Sequence, residues 1–122
     1  MTIYAAIIGT GFAARKRAEA LRKIPQVQLI AVASRSLERA QDFGAQHQVA
    51  AVSIEALWQN QQLDLVFVGT VNASHGVLVQ QALDHHKHVG VEYPLALTVA
   101  EAVQLIALAR QRQRLLHVEH IE

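Results

Sequence analysis

The chain has no cysteine, which removes a disulfide framework, a thiolate nucleophile and a thiolate zinc site from consideration. It has only two prolines, and no linker, repeat or low-complexity tract divides it. Aromatic residues make up 5%, so any core is aliphatic and suits helices layered on a sheet. Charged residues reach only 17% against 52% hydrophobic, a balance that excludes a disordered polymer. A net charge of +1 leaves no basic excess for a nucleic-acid surface. No apolar run approaches the roughly 20 residues of a membrane helix, and the opening MTIYAAIIGTG lacks the basic start and long apolar stretch of a secretory signal. These absences, with that of cysteine, lead us to expect a soluble cytoplasmic protein with no membrane or nucleic-acid partner. At 122 residues one core is the natural reading, a single domain over 1–122.

What is present alternates. Ile3 to Ile8 reads as a short apolar strand closed by Gly9, and Phe12 to Ile24 as a helix stopped by Pro25. Val27 to Ala33 is a second strand, after which Ser36 caps a helix to about Phe43 with Gly44 as its stop. A weak strand at Ala51 and Val52 leads through Ser53 to a short helix bearing Leu57 and Trp58. Leu65 to Val68 is a strand, Ser74 caps a helix from His75 to about Asp84, and His88 to Val91 is a strand. Thr98 and Glu101 form a capping box opening a helix to about Arg112, and Leu115 to Ile121 is the last strand. Strands alternating with helices predict an α/β, doubly wound parallel sheet of the Rossmann type, because parallel strands need crossovers and are buried on both faces.

The first strand meets the first helix at Gly9-Thr10-Gly11-Phe12-Ala13-Ala14, a GxGxxA turn. Gly9 allows the tight turn, Gly11 lets a pyrophosphate approach bare backbone, and Ala14 lets the helix pack close to the sheet. The helix N-terminus then offers free N–H groups to phosphate. After the second strand, where an NAD site places an acid on the ribose, stands Ser34-Arg35-Ser36. A guanidinium and two hydroxyls suit a 2′-phosphate, with Arg35 able to stack on adenine, so NADPH is the expected cofactor and NADH the weaker one. The plain alternative makes Arg35 a solvated loop residue and Ser36 only an N-cap.

The segments GTGFAA, DLVFVGTVNASH (Asp64 to His75), KHVGVEYP (Lys87 to Pro94) and LALT (Leu95 to Thr98) occur in order. Together they resemble the phosphate loop, the D-x-V-x-I-x-T-P-N-x-x-H segment, the G-K-H-V-x-x-E-K-P motif and the helix start of the Gfo/Idh/MocA oxidoreductases, over essentially the whole chain. Two positions depart: Val71 stands at the usual proline and Tyr93 at the usual lysine. Glu-Tyr-Pro there, with the ending LLHVEHIE, is similar to the biliverdin reductase branch, in particular its cyanobacterial type. The resemblance implies NADPH-dependent reduction of the central methine bridge of biliverdin to bilirubin, a small-molecule bilin as partner, and a C-terminal substrate-binding sheet domain that is not in this sequence. By the family pattern, Thr70, Asn72, Glu92 and Pro94 line the cofactor beside Gly9, Thr10, Gly11, Phe12, Ala13, Ser34, Arg35 and Ser36. His75 is either a further cofactor contact or a helix-start residue. Tyr93 is the candidate catalytic position, as a stacking or hydrogen-bonding neighbour of substrate or nicotinamide, or else an aromatic that closes the strand end. Two alternatives stay open: a sugar or polyol oxidoreductase with tyrosine in place of lysine, and a non-catalytic NADP-binding module.

No metal is expected. His85, His86 and His88 fall at a helix end and strand start, where polar or cationic groups suit the helix dipole. In a strand, His117 and His120 would point to opposite faces. Arg15, Lys16 and Arg17 open the first helix, where positive charge is unfavourable unless an anion lies nearby.

Overall fold

An apolar run such as Ile3–Ile8 suits a strand covered on both faces, and in the computed structural model Ala5 to Ile8 are buried on both, with Tyr4 half-buried and Ile3 exposed at its start. The structure describes residues 1–119. Strands β1 (Ile3–Ile8), β2 (Val27–Ala33), β3 (Ala50–Ala51), β4 (Leu65–Val68), β5 (His88–Glu92) and β6 (Leu116–Glu119) form one sheet in the order β3-β2-β1-β4-β5-β6. Every pairing is parallel. Helices α1 (Phe12–Leu21), α2 (Leu37–His47), α3 (Ile54–Gln59), α4 (His75–Asp84) and α5 (Val99–Arg112) supply the crossovers, and a 3₁₀ turn at Asn72–Ser74 leads into α4. Side chains alternate between two cores. Ala6, Ile8, Val66, Val68, Val89 and Val91 meet Leu78, Val79, Leu83 and Leu105 of α4 and α5. Ile7 and Val32 meet Ala14, Ala18, Leu21 and Phe43 of α1 and α2. This is the doubly wound α/β fold, and its order reverses between β1 and β4, where such sheets open a crevice for ligands.

Three element ends differ from the sequence expectation. Helix α1 stops at Leu21 rather than Ile24, because a helix continuing through Pro25 would need an N–H there to reach the Leu21 carbonyl; turn bonds from Lys23 to Ala20 and Ile24 to Leu21 take over. Helix α2 runs past Gly44 to His47 and ends at Gln48, with φ at 56°. Gly44 serves close packing instead: a Cβ there would lie 2.4 Å from the Val49 carbonyl oxygen, as the chain folds back to begin β3. Ser74 does not cap α4, because it already has helical backbone at the end of the 3₁₀ turn and its hydroxyl bonds backward. The other caps form as read: Ser36, Ser53 and Thr98 accept from the N–H groups of Arg39, Ala56 and Glu101. Strand β3 covers Ala50–Ala51, and Val52 still donates to Val32. Strand β6 is described at Leu116–Glu119; the expected continuation through His120 and Ile121 lies outside the described residues.

The ends of the strands opposite the crevice are fastened by Lys87, whose buried ammonium donates to the carbonyls of Asn60 at 2.7 Å and Leu63 at 2.9 Å. Next to it, His88 Nδ1 accepts from the Leu115 N–H at 3.0 Å, which a ring protonated on that nitrogen does not do. Burial, aided by Arg114 and opposed by Asp64, holds the His88 pKa below its ordinary value of 6.5. The unfolded chain therefore takes up this proton at higher pH than the folded one. The stabilisation is complete above about pH 6.5 and is lost as pH falls from there through the lower folded value. Urea midpoints of wild type and His88→Gln should accordingly differ more at pH 7.5 than at pH 5.5; a gap that stays constant or widens on acidification would contradict this coupling.

Candidate functional site

The crevice is built at the carboxyl ends of the central strands. Gly9 leaves β1 with φ at 120°, and a Cβ on it would sit 2.2 Å from the Gly69 carbonyl oxygen at the end of β4. The Gly9 N–H donates to Ala33 and the Gly69 N–H to Ile8, so three strand ends are tied at this point. Gly11 is the N-cap of α1, no side chain caps it, and the first turn holds no acid. Space is open around it: a Cβ on Gly11 would meet no atom within 4 Å beyond its chain neighbours. The exposed Phe12 and half-buried Ala13 begin the helix, and Phe12 lies beneath the Lys16 ammonium, 5.5 Å from the ring centre. Together these features give an open, positively polarised helix end suited to a bound phosphate.

At the end of β2 the Ser34 hydroxyl accepts from the Ser36 N–H at 3.2 Å, and the Ser36 hydroxyl caps α2. This turn separates two clefts. Arg35 lines a cavity of about 170 Å³ with Ile54, Thr70, Ala73, Ser74, Val77 and Leu78, an apolar slot between the ends of β2 and β4. On the other side, Thr10, Gly11, Arg15, Arg39, Asp42, Phe43 and Gln46 enclose about 320 Å³ between α1 and α2. Arg39 was not among the sequence candidates. Its signal was its place three residues after the N-cap Ser36, which returns it to the face of the cap.

The ends of β4 and β5 carry the remaining candidates. Val71 and Asn72 are exposed, while Thr70 is half-buried with its hydroxyl 2.5 Å from Ser74 Oγ. Glu92 is half-buried and its carboxylate lies over Gly69, where a Cβ would come within 2.8 Å of Oε1. Tyr93 is 60% exposed and its N–H donates to the Glu119 carbonyl. The Tyr93-Pro94 peptide is cis. His75, expected as a cofactor contact or a helix-start residue, is wholly buried with Nδ1 2.7 Å from the Pro94 carbonyl and Nε2 3.0 Å from that of Thr70. It has no free face to offer a ligand.

The cations of α1 divide. Arg15 is exposed at the cleft just described, whereas Arg17 folds over the Phe67 ring at 4.7 Å and pairs with Glu119 of β6. Burial lowers the Arg17 pKa, and Glu92 acts against that shift. Of the other histidines, His85 stacks on Trp58 with its Nδ1 at the Gln81 carbonyl, and His88 holds the Leu115 N–H. His120 lies outside the described residues.

Comparison with protein families matches residues 3–120 to the oxidoreductase family with an NAD-binding Rossmann fold, Gfo/Idh/MocA. Biliverdin reductase A of Mus musculus is 41% identical over 81 residues, 66% of this chain and 28% of that protein. A crystal structure of biliverdin reductase from Synechocystis sp. PCC 6803, in complex with biliverdin and NADP+, is 40% identical with a TM-score of 0.91, covering 96% of this chain and 37% of that one. KijD10, a 3-ketoreductase from Actinomadura kijaniata in complex with NADP and TDP-benzene, is 30% identical with a TM-score of 0.91, covering 98% and 37%. The chain thus spans roughly a third of the length of these relatives.

The two loop glycines should separate in experiment. Gly9→Ala forces a methyl into the Gly69 carbonyl at positive φ and should cost about 1–3 kcal/mol or more of stability. Gly11→Ala meets open space and should leave the melting temperature within about a degree or two of wild type. Similar melting temperatures for both variants would refute the contact at Gly9.

Proposed function

The chain belongs to the Gfo/Idh/MocA oxidoreductases, a family with an NAD-binding Rossmann fold, and from that premise we propose that it forms the NADPH-binding part of a bilin-reducing enzyme. The observation that carries the bilin reading is Glu92-Tyr93-Pro94 at the end of β5, with an exposed phenol where the wider family places an ammonium. An ammonium is useful where a carbonyl and a hydroxyl interconvert, since it donates to an oxygen whose charge changes. The methine carbon of a bilin bears no such oxygen. A planar aromatic surface beside the reacting carbon suits that substrate better, and the 40% identity to a reductase holding biliverdin and NADP+ supports the same choice.

The residues fit the cofactor. Gly11 and the uncapped start of α1 would receive the pyrophosphate, Arg35 and its apolar slot the adenine, and Arg39, Arg15 and Thr10, with Ser34 and Ser36, the 2′-phosphate. Asn72, Glu92 and Pro94 would face the nicotinamide end, while Thr70 would stand in the wall of the adenine slot. When bound, NADPH supplies a hydride from its nicotinamide C4 to the central methine carbon, and a proton reaches a pyrrole nitrogen to complete bilirubin. Tyr93 serves in this reading as a surface against which substrate or nicotinamide rests. The rest of the substrate site would come from a further domain of the parent protein. That would make NADPH binding a property of this domain and bilin turnover a property of the whole enzyme.

Calorimetric titration tests the cofactor reading. NADPH should bind more tightly than NADH. Arg39→Ala should weaken NADPH by roughly 1–3 kcal/mol, the scale of a charged hydrogen bond, and leave NADH nearly unchanged. Arg35→Ala should weaken both, through lost stacking. Equal losses of both cofactors at Arg39 would remove it from the 2′-phosphate. Gly11→Ala should weaken both cofactors while keeping the fold. In the full-length parent, NADPH oxidation with biliverdin should retain most of its rate in Tyr93→Phe; a drop of about 10²-fold or more with cofactor affinity intact would make the phenol the proton donor instead.

A further inference from the structure

We infer that His75 is a positioning residue: it ties the turn after β4 to the turn after β5 and thereby sets the nicotinamide end of the site. This rests on the NADPH reading above. The imidazole has no exposed surface, yet each of its nitrogens faces a backbone carbonyl, Pro94 at 2.7 Å and Thr70 at 3.0 Å. A carbonyl only accepts, and a neutral imidazole has one N–H to give. The shorter contact is the better place for it, so we assign the donor to Nδ1 and the pinned carbonyl to Pro94.

The two turns do not depend on His75 equally. The turn after β4 braces itself. Ser74 Oγ donates its one hydrogen to the Val71 carbonyl at 2.8 Å, which leaves Thr70 Oγ1 as the donor across the 2.5 Å contact to Ser74. The Ser74 N–H also reaches Val71 at 3.0 Å. Pro94 has no N–H, so its carbonyl is its only backbone hydrogen-bonding group. Tyr93 N–H fastens the residue before it to Glu119, and buried Leu95 follows. Removing the imidazole therefore frees the Pro94 carbonyl while the wall of the adenine slot, made in part by Thr70 and Ser74, keeps its own bonds. The part of the ligand that feels the loss is the nicotinamide, whose placement matters to hydride transfer at the ångström scale.

The test uses two probes and two variants. NADPH occupies both ends of the site, whereas adenosine 2′,5′-bisphosphate fills only the adenosine end. Asparagine carries an amide N–H₂ near the position of Nδ1, and glutamine carries one near Nε2. His75→Asn should bind both probes within about twofold of wild type. His75→Gln should bind NADPH roughly 3- to 10-fold more weakly, the effect of one hydrogen bond, and the bisphosphate unchanged. Melting temperatures accompany each titration, because a purely structural role would lower stability and weaken both probes together. The inference is overturned by equal losses for the two probes, by undiminished NADPH affinity in His75→Gln, or by an asparagine variant no better than the glutamine one. If the bisphosphate binds the wild type as tightly as NADPH does, the nicotinamide end contributes nothing and the inference fails while the adenosine reading stands. If neither probe binds, the cofactor reading itself fails and takes this inference with it.

Discussion

The close passage of Gly9 against the Gly69 carbonyl is the constraint from which the crevice is built. Two backbone segments on the central strands come nearer than any side chain allows, and the chain leaves β1 in a direction that brings the start of α1 over the gap. The Glu92 carboxylate lies over Gly69, so the glycine turn after β1, the end of β4 and the end of β5 share one reference point. Beneath it, Ala5, Ala6, Ile7 and Ile8 are at most 1% exposed, and such a packed strand gives little under load. The loops around the crevice are thus set on a closely packed scaffold.

The alternation of strands and helices was legible because it depends on local pattern: apolar runs buried on both faces, and Ser36, Ser53 and Thr98 at helix starts. What was misread turned on contacts distant in sequence or on backbone detail. Gly44 looks like a helix stop, but the carbonyl of Val49 makes it a packing residue. Ser74 looks like a cap until the 3₁₀ turn before it is seen. Gly9 and Glu92 both close on Gly69, and Thr70 follows at the rim of the same crevice. His75, equally visible in the motif, lies behind it, because no local signal tells an imidazole that faces solvent from one that faces two carbonyls.

The arginines make the same point through electrostatics. Arg15, Arg17, Arg35 and Arg39 are alike as letters, and three of them line the two clefts on either side of the turn after β2. Arg17, two residues from Arg15, is instead withdrawn over Phe67 and paired with Glu119, a partner 102 positions away. A helix with three cations in its first two turns is unfavourable in isolation. Here Arg17 is neutralised by the far edge of the sheet and Lys16 lies 3.8 Å from Glu19 of its own helix, which leaves Arg15 at the cleft beside Gly11.

Lys87 has a consequence for the chemistry of the amines. Of the three lysines, Lys16 and Lys23 are exposed, whereas Lys87 is 5% exposed with its ammonium spent on two carbonyls. An acylating reagent will therefore mark the first two in the native protein and reach the third only when the α3–β4 connection lets go of β5. The order of modification becomes a clock for that local opening, read by mass, in a protein whose own sequence supplies both the probe and its controls.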